Sequence, residues 1–67
     1  MHELTITDLS GDFREATTLL FRTEEGAKGY AAKLGDFYGM HRYELDGRHH
    51  TPGTDSSLAV EPVSGAI

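Results

Sequence analysis

Between Thr23 and Gly39 the chain carries a hydroxyl, two glutamates, a helical row of small apolar and aromatic residues and then glycine, a pattern that fixes one amphipathic helix. Thr23 can accept from the exposed amides of a first helical turn, and Glu24 and Glu25 place negative charge at the positive end of the helix dipole. Ala27, Tyr30, Ala31, Leu34 and Phe37 or Tyr38 recur at three- and four-residue steps, which puts them on one stripe against a core, with Lys28 and Lys33 outside it. Glu24 and Lys28 form an acid-before-base i,i+4 pair worth roughly 0.3 kcal/mol. Gly29 costs up to about 1 kcal/mol relative to alanine, so either a neighbouring backbone packs closely there or the helix is locally weak. Gly35 and Gly39 compete as terminators; the favoured end is near Gly35, with residues 36–39 as a frayed turn.

Strands surround this helix. Leu4 and Ile6 alternate with Thr5 and Thr7, which predicts a half-buried strand from His2 to Asp8, followed by a turn at Ser10, Gly11 and Asp12. Residues 13–22 read two ways: Phe13, Thr17, Leu19 and Phe21 share a strand face, while Asp12 with Glu15 imitates a capping box. Strand is preferred, because Thr17 and Thr18 disfavour helix and a helix running through Phe21 would leave Thr23 nothing to cap. Residues 40–45 alternate again through Tyr43 and Leu45, and Asp46 with Gly47 closes them as a turn. The order ββαβ predicts an α+β domain at residues 1–47: a three-stranded antiparallel sheet ordered 2-1-3 with the helix on one face. Its expected core is Leu4, Ile6, Phe13, Leu19, Phe21, Ala27, Tyr30, Ala31, Leu34, Tyr43 and Leu45. Residues 48–67 read as a flexible polar tail, with a short edge strand at 57–60 as an option. The uncovered sheet face and the two sheet edges are then the contact surfaces. A domain of this size buries only about 60% of its unfolded surface, so a homodimer or a bound partner would add needed stability.

Composition narrows the chemistry. Eleven acidic residues against six basic ones give a formal charge of -5, which opposes direct binding of DNA or RNA phosphates. The basic residues Arg14, Arg22, Lys28, Lys33, Arg42 and Arg48 are scattered along the chain, and asparagine and glutamine are absent. Without cysteine there are no disulfides or thiolates, and no segment reaches the roughly 20 apolar residues of a membrane span. The expectation is a cytoplasmic protein with no membrane contact. Ser10, Ser56, Ser57 and Ser64 have no nucleophile context, and consecutive Glu24 and Glu25 diverge by about 100° on a helix. No catalytic residue, cofactor or metal is expected. His49 and His50 would point apart in an extended segment, and a solvated turn is the preferred reading; a metal-dependent enzyme using His41, His49 and His50 is the lesser alternative. The contact candidates are Glu24, Glu25, Asp36, Glu44 and Asp46, the acids nearest the helix and third strand, with Phe37 or Tyr38 as an aromatic anchor.

In size, acidity, lack of catalytic residues and a sheet with one helix over residues 1–47, the chain resembles small phage-encoded inhibitors, among them anti-CRISPR proteins. The resemblance implies stoichiometric binding, without chemistry, to a CRISPR effector or another nucleic-acid-binding complex of a bacterial host. Acids set in a basic groove would block nucleic-acid access. A small dimeric structural or regulatory subunit is the alternative from a different class.

Overall fold

Leu4 and Ile6 are the centre from which the sheet is built. In the computed structural model, which describes residues 1–35 and 40–64, β1 (His2–Asp8) pairs antiparallel with β2 (Ala16–Phe21) on one side and β3 (His41–Leu45) on the other. The register sets Leu4 opposite both Leu19 and Leu45, and Ile6 opposite both Thr17 and Tyr43. One face is therefore apolar across three strands, as their alternation requires. Helix α1 (Glu24–Leu34) covers that face, and Leu4, Phe21, Ala27, Ala31, Tyr43 and Leu45 form the buried core, with Ile6, Leu19 and Tyr30 packed against it. The Phe21 and Tyr30 rings meet with centroids 5.3 Å apart and a 54° tilt.

The helix boundaries follow the capping chemistry. Thr23 is extended (φ -128°, ψ 150°) and its Oγ1 accepts from Gly26 N at 3.0 Å. At the far end the Gly35 amide donates to Ala31 O at 2.8 Å, and Tyr43 donates its hydroxyl to Gly35 O at 2.6 Å, tying the helix end to β3.

The sheet has four strands, not three. β4 (Arg48–His50) pairs antiparallel with β3, giving the order β2-β1-β3-β4. Asp46 (φ 51°) and Gly47 (φ 79°) both occupy the left-handed region, the requirement of a two-residue hairpin turn whose twist matches the strands it joins. Such a turn returns the chain along β3. The polar run Arg48, His49, His50 thus becomes an edge strand, with Leu45 opposite Arg48 and Tyr43 opposite His50.

The segment after β4 also belongs to the fold. Residues 51–64, here termed the strap, leave the β4 edge, cross the outer side of α1 and reach the opposite edge, where Val63 N donates to Leu20 O and Leu20 N to Ser64 O, both at 2.7 Å. Residues 57–60 carry no strand; the contact with the sheet edge comes at Val63 and Ser64 instead. The helix meets the strap through glycine. A Cβ on Gly29 would strike the Ala59 amide nitrogen and lie 2.7 Å from the Leu58 carbonyl carbon, and one on Gly26 would lie 2.6 Å from Val60 Cγ2. Close backbone approach explains why glycine stands inside this helix.

Two expected core residues lie outside it. Phe13 is 86% exposed because β2 begins only at Ala16; the Asp8 carboxylate accepts from Ser10 N and Oγ, turning the chain away from the sheet before the ladder resumes. Leu34 is 44% exposed, since the helical stripe runs one turn beyond Ala31, its last buried residue.

Candidate contact surface and histidine cleft

Strand parity divides the polar residues between two surfaces. Facing away from the helix are Glu3, Thr5 and Thr7 of β1, Thr18 and Leu20 of β2, Arg42 and Glu44 of β3, and His49 of β4, none of them buried. The register places Thr18, Thr5, Glu44 and His49 in one row across all four strands. Thr5 and Thr18 join their hydroxyls at 3.1 Å. This second sheet face, expected as a contact surface, is mostly polar. It needs no cover to remain in water. The expected edge surfaces are also reduced, because β4 pairs with β3 and the strap meets β2 at Leu20.

The contact candidates do not form one patch. Glu24 and Asp46 line a cleft of about 440 Å³ with Lys28, Arg48, His49 and His50, whereas Glu25 lies in the neighbouring cleft that Lys28, Gly29 and Leu58 also border. Glu44 lies on the open sheet face, away from both. Asp36, Phe37 and Tyr38 fall outside the described residues. Glu24 is held by Lys28 at 3.0 Å, so the i,i+4 pair forms as the sequence predicts. Asp46 has a structural role: its Oδ2 accepts from His2 Nδ1 at 2.8 Å and its Oδ1 from the Glu3 amide at 2.9 Å, while its own amide donates to Glu3 O. These bonds, the Glu3 amide first and His2 next, hold the Asp46 carboxyl below the usual carboxylate range. Asp46 thereby staples the β3–β4 turn to the start of β1. Glu25 and Glu44 make no ion pair among the described residues.

The histidines are arranged by β3 and β4 rather than by a turn. His49 takes the open face opposite Glu44, while His50 sits on the helix side opposite Tyr43, on the same face as His41. Strand parity thus puts His49 on a different face from the other two histidines of the metal-enzyme alternative, although all three line one cleft. His41 and His50 line one cleft of about 360 Å³ with Leu9, Arg42, Tyr43, His49, Thr51 and Pro52, and His41 Nδ1 and His50 Nε2 are buried without a hydrogen-bond partner among the described residues. Burial first, then the charges of Lys28 and His49, lower the His50 pKa, with Glu24 opposing them. Among the described residues no group of three or more histidine, cysteine, aspartate or glutamate side chains is placed to hold a metal.

Sequence reasoning grouped His41 with His49 and His50 as an alternative but did not place His41 and His50 on one strand face, although the signal was available. A two-residue Asp-Gly hairpin fixes the register after it, and that register sets both rings on one face. It also missed the gathering of basic groups: Arg42, Arg48 and Lys28, scattered in sequence, border the two clefts that meet at His50. Among the described residues no helix is long and apolar enough to cross a membrane. Comparison of the chain with protein-family models, curated proteins and solved structures finds no match.

Proposed function

We propose that this chain is a noncatalytic protein-binding inhibitor that docks its open sheet face on a basic surface of a nucleic-acid-handling complex, in the manner of an anti-CRISPR protein. The observation that carries the reading is a four-stranded face that no described element covers and that presents Glu3 and Glu44, neither held in an ion pair among the described residues, on a chain of net charge -5. Free carboxylates on a flat polar sheet suit exposed lysines and arginines, and opposite net charges speed encounter. Arg42 and His49 on the same face give such a surface an orientation, because a basic partner must leave room for them. The row of threonines adds neutral donors and acceptors. The setting this implies is the cytoplasm of a bacterial host.

The test uses the intact protein as bait in a bacterial lysate. The reading expects retention of a nucleic-acid-binding complex that added nucleic acid displaces; recovery of nothing, or of proteins that nucleic acid does not release, contradicts it.

A small dimeric subunit is a second reading, and the exposed Leu58, Val60 and Val63 of the strap favour it. Light scattering separates the two. A concentration-dependent dimer that dissociates on Leu58→Ser with Val60→Ser supports the subunit, and a monomer removes it.

A further inference from the structure

We propose that His41 and His50 form a two-imidazole site for a first-row divalent transition metal ion of the zinc, nickel and copper class. The cleft shares Arg42 and His49 with the border of the open face invoked above, but neither reading depends on the other. Cross-strand geometry brings the rings together: His50 lies opposite Tyr43, and His41 precedes Tyr43 by two residues on the same face, so the two histidines are diagonal neighbours across β3 and β4. Diagonal neighbours have Cα atoms about 7–8 Å apart and Cβ atoms somewhat closer, a span within which two imidazoles can converge on one ion. Both line the same 360 Å³ cleft.

The unsatisfied atoms name the chemistry. His41 Nδ1 and His50 Nε2 are buried with no hydrogen-bond partner among the described residues. A buried polar atom left unpaired is unusual in a folded protein, and two such atoms on residues that line one cleft suit a shared ligand. Neutral imidazole is the ligand form. Nitrogen donors select zinc, nickel and copper over calcium and magnesium, which take oxygen. Two protein donors leave the remaining coordination positions to solvent, since no third ligand-type side chain joins them among the described residues. Binding is accordingly weaker than in a closed structural zinc site.

The experiment titrates the full chain with Zn2+ alone and follows the imidazole nitrogens by long-range proton–nitrogen NMR. One equivalent is expected to move His41 Nδ1 and His50 Nε2 together and saturably, leaving His2, outside the cleft, in place. His41→Gln and His50→Gln should each weaken binding at least tenfold with amide spectra preserved, whereas His2→Gln, outside the cleft and held by Asp46, leaves it unchanged. Shifts centred on His2 or His49, shifts that never saturate, or no shift at all, the outcome of a cleft filled by water, would overturn the site. The spectrum of the unsubstituted chain decides the matter even where a variant fails to fold.

Discussion

Asp46 shows how one side chain can be chemically committed before any partner arrives. Its carboxylate accepts from His2 and from the Glu3 amide, and its folded pKa is lowered by both. A depressed carboxylate contributes stability that is present above the unfolded value of about 3.9 and lost as pH falls through the folded one. Asp8 and Asp55, lowered by hydrogen bonds from Ser10 and Ser57, act in the same direction. Urea midpoints measured below pH 4 should therefore fall steeply, and less steeply in Asp46→Asn, which tolerates the left-handed turn without a titrating group. His50 works in a different window. Its lowered pKa means the unfolded chain takes the proton first, so stability is complete above about pH 6.5 and declines as pH drops toward the folded value. His50→Gln should flatten the stability profile between pH 7.5 and 5.5. Gly29 carries the sharpest steric prediction. Alanine would gain about 1 kcal/mol of helix propensity, but its methyl would meet the backbone of Leu58 and Ala59, which has little room to yield. Gly29→Ala should destabilise by roughly 1–3 kcal/mol net in urea unfolding, the range for overpacked sites.

Elements differ in how plainly the sequence announces them. The α1 boundaries were legible because Thr23 and Gly35 carry their own capping chemistry, and β1 because its apolar and hydroxyl residues alternate. The fourth strand was not, because Arg48, His49 and His50 are polar on both faces and periodicity has nothing to register. Only the turn before it implied a strand. The strap was hidden for a related reason: its contacts with α1 run through glycine and backbone, which leave no apolar repeat. Gly29 hinted at a close neighbour without identifying it. Phe13 misled, since it continues the alternation of β2 in sequence while the Asp8 turn removes it in space. Removal of residues 52–67 should therefore expose Gly26, Gly29 and the β2 edge together, and loss of the cooperative urea transition is the expected result. An unchanged midpoint would show that the strap decorates the fold.

At the scale of the molecule, a meagre set of large apolar side chains is compensated by closeness. The helix packs alanines on the sheet and glycines beneath the strap, and the second sheet face stays polar. The docking proposed above would then depend on charge and hydrogen bonding more than on apolar area. The acids named from sequence divide accordingly: Glu24 and Asp46 serve helix and turn, while Glu44, joined by Glu3, makes no ion pair among the described residues and carries the proposed contact. The most direct measurement is the affinity of the captured nucleic-acid-binding complex for the unaltered protein and for Glu3→Gln with Glu44→Gln, across a salt series. The double variant should bind about tenfold more weakly at low salt, the worth of two exposed ion pairs of roughly 0.7 kcal/mol each, with the gap closing as salt rises. Equal affinity at every salt concentration would contradict docking through the open face.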